Sequence, residues 1–200
     1  MGCLATENYL NFNSHHLTDD RIAGVIFSAP FFGINDSFEV DFAKKMSIKG
    51  LASVADEFII CDGKPLHLVC RNKQYLRQCV TATKYPPLAS LSILASFVRC
   101  IDRLNPVKFN FSYLMVLAEK EYIVNNKASR AWRDKTKTKI KALKLMPGSY
   151  HELTKEPNNH ILFEAALNFM GERLYGSSNS PNSGTAKPFG EFKPSLVRYW

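Results

Sequence analysis

Hydrophobic positions in this chain fall into short blocks separated by polar turns, and their spacing switches between the helical and the strand period. From Gly2 to Asn13, the residues Leu4, Ala5, Tyr9, Leu10 and Phe12 recur at approximately helical spacing. The polar run NSHHLTDD follows, and then RIAGVIFSAPFFG. Its centre, Ala23 to Ser28, is short, apolar and β-branched, and Pro30 and Gly33 stop it. That pattern predicts a strand buried on both faces, as in a parallel sheet. Phe109 to Leu117 (FNFSYLMVL) predicts a second such strand and Ile140 to Met146 (IKALKLM) a third. Between the second and third, Ala128 to Lys137 reads as a helix. After the third, Asn159 to Leu174 reads as a closing helix with Ile161, Leu162, Ala165, Ala166 and Phe169 on one face.

The stretch from Asn35 to Asn105 has a different texture. Phe38, Val40, Phe42, Met46 and Ile48 are scattered through short amphipathic pieces, and only LASLSILASFVRCIDRL (Leu88 to Leu104) forms a long amphipathic helix pattern. No strand stands out, so this region reads as a mostly helical insertion. Beyond Gly176 the chain becomes SSNSPNSGTAKPFG, poor in apolar residues, and reads as disordered. Strand, insertion, strand, helix, strand, helix is an α/β order, which predicts a parallel sheet covered by helices on both faces. Function in such sheets collects on loops at the carboxyl ends of the strands.

Two of those loops carry complementary chemistry. AEKEYIVNN follows the second strand and presents Glu121, with Glu119 as the alternative acid; PGSYHELTKEP follows the third and presents His151. An acid and then a histidine at successive strand ends matches the order nucleophile, acid, histidine of hydrolase triads. In that chemistry the histidine takes the nucleophile's proton, while the acid fixes its tautomer and stabilises the imidazolium. His15, His16, His67 and His160 have no such partner pattern. Cys3 lies on the first helix rather than at a turn, which argues against it as a nucleophile.

Composition narrows the classes. The chain has 200 residues, 46% of them hydrophobic, enough for one domain with a core. Five cysteines with no C-x-x-C argue for buried free thiols rather than a zinc site or a disulfide framework, and a triad mechanism would need neither metal nor cofactor. No apolar run is long enough to span a bilayer, and MGCLATENYL does not resemble a signal peptide; the expectation is a cytoplasmic protein. The sequons at Asn35 and Asn110 are then chance matches. The net charge of +8 is concentrated in KASRAWRDKTKTKIKALK, Lys127 to Lys144. Two readings stay open for it: a solvated helix face, or a surface that attracts anionic lipid and holds the protein peripherally at membranes. Without interleaved aromatics beyond Trp132, nucleic acid is not an expected partner.

The block GSYHELTKEPNNHILFEAALNFMGERL resembles the closing block of lysophospholipases and monoacylglycerol lipases, the serine aminopeptidase S33-type branch of the α/β-hydrolases, in which a G-x-Y-H-E-[LI] loop leads into a helix. LAEKEYIVNNKAS is similar to their acid loop, G-x-x-D-x-x-V, with Ala118 for the glycine and Glu121 for the more usual aspartate. MGCLATENYL followed by RIAGVIFSAPFFGI is similar to the helix and strand that follow the G-x-S-x-G elbow, with Met1 and Gly2 as its last two residues.

The resemblance covers Met1 to about Leu174 and implies a fold and a set of roles. The fold is α/β, the C-terminal portion of an α/β-hydrolase, with a parallel sheet flanked by helices and a helical cap insertion. Residues 1–34 would be the helix and strand after the elbow, 35–105 the cap, 106–175 the core carrying acid and histidine loops, and 176–200 the tail. The nucleophilic serine would immediately precede Met1, whose backbone N–H would be an oxyanion donor. Phe31, Phe32 and Ile34, with Phe38, would line an acyl pocket, or serve as plain core. The implied activity is that of a serine hydrolase of lipid esters, the chain itself lacking the nucleophile and inactive alone. The alternative is a non-catalytic derivative that binds lipid or a protein partner. Head group, acyl length and oligomeric state are not legible.

Overall fold

A computed structural model describes residues 2–13, 22–33, 50, 59–61, 66–81 and 88–175. In chain order its elements are α1 (Gly2–Phe12), β1 (Val25–Ser28), β2 (Ile59–Cys61), α2 (Lys73–Thr81), β3 (Leu88–Ser90), α3 (Leu91–Asp102), β4 (Tyr113–Ala118), α4 (Asn126–Lys135), β5 (Lys141–Met146) and α5 (His160–Tyr175). Strands β1, β4 and β5 form a parallel sheet in that order, with Val25 opposite Tyr113 and Tyr113 opposite Lys141.

All six residues of β4 are buried. Successive side chains on a strand point to opposite faces, so Tyr113, Met115 and Leu117 enter one core and Leu114, Val116 and Ala118 the other. The first core takes Leu4 and Leu10 from α1, Phe27 from β1, and Trp132 from α4, together with Phe32, Phe109 and Phe111. The second takes Leu162 and Phe169 from α5 with Ala29, Met146 and Leu153. Helices therefore cover both faces, which is why β4 reads as a continuous apolar run rather than an alternating one. Strand β5 buries only Met146 fully; Lys144 is exposed, whereas the half-buried Lys141 donates from Nζ to Arg133 O at 3.1 Å and Thr136 O at 2.8 Å.

Several boundaries differ from the sequence expectation. The apolar run starting at Phe109 becomes strand only at Tyr113, where its partners Val25 and Lys141 begin; Phe109 and Phe111 are buried coil. Helix α4 begins two residues earlier than expected because the side chain of Asn125 accepts from the Ala128 N–H at 3.0 Å, a helix N-cap. It ends before Lys137 because Thr136 turns extended and places its hydroxyl 2.8 Å from Tyr113 Oη. The expected helix from Leu88 starts at Leu91 instead. Leu88–Ser90 pairs antiparallel with Ile59–Cys61, a two-stranded sheet in a region that shows no strand pattern in sequence. Three-residue strands are too short to display a period of two. Met1, Ile34, Phe38, His15, His16, Asn35 and residues 176–200 lie outside the described residues. Among the described residues no helix is long and apolar enough to cross a membrane.

One charged residue sits inside the first core. Glu7 on α1 is fully buried. Its Oε1 accepts from Asn11 Nδ2 at 2.7 Å, Asn105 N at 3.0 Å and Trp132 Nε1 at 3.3 Å. Its Oε2 has no hydrogen-bond partner among the described residues. Burial raises the carboxyl's pKa above its ordinary 4.5, and the three hydrogen bonds only partly offset that. A raised folded-state pKa means that the folded chain holds more protons than the unfolded one between the two values. The stability Glu7 supplies is therefore full below about pH 4.5 and is lost as pH rises through the folded value. The expected result is that Glu7→Gln removes this loss. The stability difference between variant and parent, from urea unfolding between pH 4 and pH 7, should grow in the variant's favour as pH rises. Between the unfolded and folded pKa values the slope approaches about 1.4 kcal/mol per tenfold fall in proton concentration. A difference independent of pH over that range would refute it.

Candidate active site

Parallel pairing of β4 with β5 sets Ala118 opposite Met146, so the loops after the two strands leave the sheet side by side. They are joined by main chain and side chain. Glu119 N donates to Met146 O at 3.2 Å and Lys120 N to Ser149 O at 3.0 Å. The Glu119 carboxylate accepts from Gly148 N at 2.6 Å. Gly148 adopts φ +66°, a conformation that suits glycine and turns the second loop back over the first.

This zipper brings Glu121 and His151 together. His151 Nδ1 lies 3.1 Å from Glu121 Oε2. The other carboxylate oxygen, Oε1, accepts from the backbone N–H groups of Ile123 at 2.8 Å and Val124 at 3.2 Å. The Glu121 side chain is 2% exposed and that of His151 25%, so the acid is held inside while the imidazole reaches the surface. Of the two candidate acids, Glu121 meets the histidine and Glu119 caps the turn before it. An acid anchored by backbone N–H groups on one oxygen and facing the imidazole with the other can hold a single ring tautomer, leaving the far ring nitrogen, Nε2, to exchange protons. Tyr122 and Tyr150, the residues beside each, meet edge to face with centroids 5.3 Å apart.

The loop after β1 joins the same end of the sheet. Asn125 N donates to Gly33 O at 3.0 Å, and Ser129 Oγ to Pro30 O at 3.0 Å. Gly33 is needed there, since a Cβ on it would stand 2.5 Å from that of Ala128. Ala29 holds the left-handed φ of 42°, strain that marks the point where the chain leaves β1. Phe32 stacks on Trp132 at 4.4 Å within the core, while the half-buried Phe31 meets Phe97 of α3 at 6.0 Å. Cys3 is half-buried on α1 with Sγ 3.8 Å from Ser28 O, and burial pushes its thiol up, which disfavours the nucleophilic thiolate.

Sequence reasoning overlooked a second cluster against the histidine loop. Arg71 N and Nε donate to the two oxygens of Glu156 at 2.8 and 2.6 Å, and its Nη2 to Asn158 Oδ1 at 3.0 Å. The neighbouring Cys70 is buried, which pushes its thiol up to about 11, the nearby Glu156 carboxylate adding to the effect. Glu156 sits within the E-L-T-K-E-P run after His151, but nothing in the pattern of residues 66–81 marks Arg71 as its partner.

The chain is similar to known proteins along most of its length. The family model for serine aminopeptidase S33 matches residues 1–158. Phospholipase YtpA of Bacillus subtilis (strain 168) is 24% identical over 157 residues, covering 77% of this chain and 60% of that protein. Among solved structures, a soluble variant of monoglyceride lipase from Saccharomyces cerevisiae, in complex with a substrate analog, aligns with TM-score 0.71 at 16% identity, over 85% of this chain and 62% of that one. Monoacylglycerol lipase of Paleococcus ferrophilus aligns with TM-score 0.70 at 19% identity, over 82% and 62%. The chain thus spans about three fifths of the length of these relatives. A parallel sheet with helices on both faces, superposable on those lipases and matched by the family model over most of its length, has the α/β-hydrolase fold, and the chain belongs to the serine aminopeptidase S33 family of hydrolases.

Proposed function

We propose that Glu121 and His151 are the acid and histidine of a serine esterase that hydrolyses lysophospholipids or monoacylglycerols. The observation that carries the reading is the 3.1 Å contact between His151 Nδ1 and a carboxylate whose other oxygen is anchored on two backbone N–H groups. In the reaction His151 takes the serine's proton on Nε2 as the serine oxygen adds to the ester carbonyl, and then passes it to the departing alcohol. Water next adds to the acyl-enzyme with His151 again as base, and the serine regains its proton as the fatty acid leaves. Glu121 keeps the imidazole oriented and stabilises its cation.

On the motif resemblance the serine would lie immediately before Met1, whose backbone N–H would serve as a donor to the developing oxyanion. Residues 35–105 would form the cap over the site, and Phe31, Phe32 and Ile34 the start of the acyl pocket. The lipid character of the substrate is carried over from the motif resemblance and from the phospholipase and monoacylglycerol lipases to which the chain is similar. The basic stretch from Lys127 to Lys144 fits a peripheral approach to an anionic lipid surface.

The test is to read the coding sequence upstream of Met1 and assay both forms. An in-frame G-x-S before Met1 is expected. The longer chain should then hydrolyse a monoacylglycerol or a lysophospholipid, and the 200-residue chain should give no turnover of either. A serine-containing chain that folds and binds lipid but cleaves no ester overturns the reading in favour of a non-catalytic binding protein.

A further inference from the structure

Among the described residues the histidine loop is bonded at its start to the loop after β4, and beyond His151 to a segment outside the sheet. At its start, Gly148 and Ser149 are tied to the acid loop through Glu119 and Lys120. Beyond His151 it is held by residues 69–71, which precede α2 and fall within the segment that sequence assigns to the cap. Glu152 N donates to Val69 O at 2.9 Å, directly after the histidine. Arg71 then grips the end of the loop, with its backbone N–H and Nε on Glu156 and its Nη2 on Asn158. Asn158 in turn accepts from Ser149 Oγ at 2.9 Å and donates to Pro147 O at 3.0 Å, which closes the loop on itself.

The burial of these groups is unequal. The Glu156 side chain is fully buried, whereas that of Arg71 is 36% exposed. A buried carboxylate depends on its partner, because removal of the cation leaves an uncompensated charge away from water. The backbone N–H bond to Glu156 would survive any substitution, but the planar guanidinium reaches Glu156 through Nε and Asn158 through Nη2 at once, a spread that a lysine ammonium cannot reproduce. The loop that carries His151 is thus held by a side chain from outside the hydrolase sheet.

We propose that Arg71 is a positioning residue: through Glu156 and Asn158 it couples the segment before α2 to the histidine loop and holds His151 against Glu121. A shift of residues 69–71 would then loosen the acid–histidine contact, and their seating against the loop would tighten it. The catalytic sense of this coupling rests on the proposed role of His151; the coupling itself does not.

The experiment follows the ring N–H of His151 by NMR in the full 200-residue chain labelled with ¹⁵N-histidine, and needs no turnover. The Nδ1 proton shared with Glu121 should exchange slowly with solvent, and its assignment is confirmed by its loss in Glu121→Ala. Arg71→Met should speed that exchange at least about tenfold, while the backbone amides of Leu114 to Leu117 in β4 remain protected. Arg71→Lys, which keeps the charge but not the guanidinium's joint reach to Glu156 and Asn158, should recover part of the protection. A merely structural role would raise exchange in β4 and at His151 together, and that pattern overturns the proposal. So does unchanged exchange at His151 in a folded Arg71→Met chain. Should Arg71→Met not fold, Arg71→Lys decides: it keeps a cation beside the buried carboxylate and loses the reach to Asn158, and faster exchange at His151 alone supports the coupling, whereas none refutes it. Failure of the esterase reading would appear separately, as absent turnover in the longer chain with this exchange pattern intact.

Discussion

In a serine-containing form of the protein, His151→Gln is expected to lower kcat for ester hydrolysis on the order of a million-fold, with little change in the unfolding midpoint. The imidazole is the group that moves the proton in every step of the proposed reaction, and glutamine has no ring nitrogen that can do so. The side chain is a quarter exposed and lies in a loop, so the substitution leaves no core cavity. Glu121→Gln should cost less, about ten-thousand-fold, because it leaves the base in place but presents the wrong group to Nδ1. It also weakens the anchor on Ile123 and Val124, whose N–H groups now donate to a neutral oxygen.

The double variant should be no slower than His151→Gln alone, since residues that act as a unit are not additive. Glu119→Gln is the control. It perturbs the bond to Gly148 N and leaves the His151 contact intact, so a loss within about tenfold is expected, on the order of 1.4 kcal/mol of barrier. The measurement is kcat and KM for one monoacylglycerol and one lysophospholipid across the four variants. A Glu119→Gln loss equal to that of Glu121→Gln would move the acid's role from one residue to the other.

The sequence reveals those parts of the molecule where one strong periodic or chemical signal dominates. Strand β4 is buried on both faces, so its composition alone marks it, and the acid and histidine follow from their positions after β4 and β5. Glu121 is separable from Glu119 in sequence only by motif spacing; in space, the two-residue offset sends one carboxylate to the imidazole and the other to the Gly148 turn. The parts that stay hidden depend on partners far away in the chain. Strands β2 and β3 exist because each supplies the other's ladder, and the spacing of the residues between them encodes nothing about the pairing. Arg71 and Glu156 are separated by 85 positions, and an arginine beside a cysteine carries no mark of a buried carboxylate waiting for it. Glu7 is the same lesson inside a helix. Its place among Leu4 and Leu10 could be read from periodicity, but a charge on that face looks like an interruption of the stripe until Trp132, Asn11 and Asn105 are seen to share its oxygen.

Trp132→Ala is expected to have the largest effect on stability, about 3–5 kcal/mol from the lost transfer energy and the cavity alone. The indole is 4% exposed and is the hub of the aromatic core. Its ring lies 4.4 Å from Phe32 and between 5.1 and 5.5 Å from Phe109, Tyr113 and Phe27, in stacked, tilted and edge-on contacts. Such pairs add to the area term by roughly 0.5–1.5 kcal/mol each, and all four vanish together. The deletion also strips Glu7 Oε1 of its indole donor, at a site where the carboxylate already has one oxygen without a partner among the described residues. Against a typical domain stability of about 5–15 kcal/mol, this brings the chain close to unfolding at ordinary temperature.

Trp132→Phe separates the contributions, because it keeps an aromatic face and loses only size and the N–H; a cost of about 1–3 kcal/mol is expected. The consequence reaches the candidate site by a short path. Helix α4 carries Trp132 on its core face, and its N-cap Asn125 closes the loop that begins at Glu121 and is bonded to Gly33 O. A loosened α4 therefore slackens the acid loop, and Trp132→Phe should raise the exchange of the Ile123 and Val124 amides, which Glu121 holds, ahead of global unfolding. Urea unfolding gives the stability, and amide exchange the order of events. A Trp132→Ala cost below about 1 kcal/mol would mean that the core can collapse around the missing ring. The packing of α4 would then rest on its Ser129 and Asn125 hydrogen bonds to the loop after β1 instead.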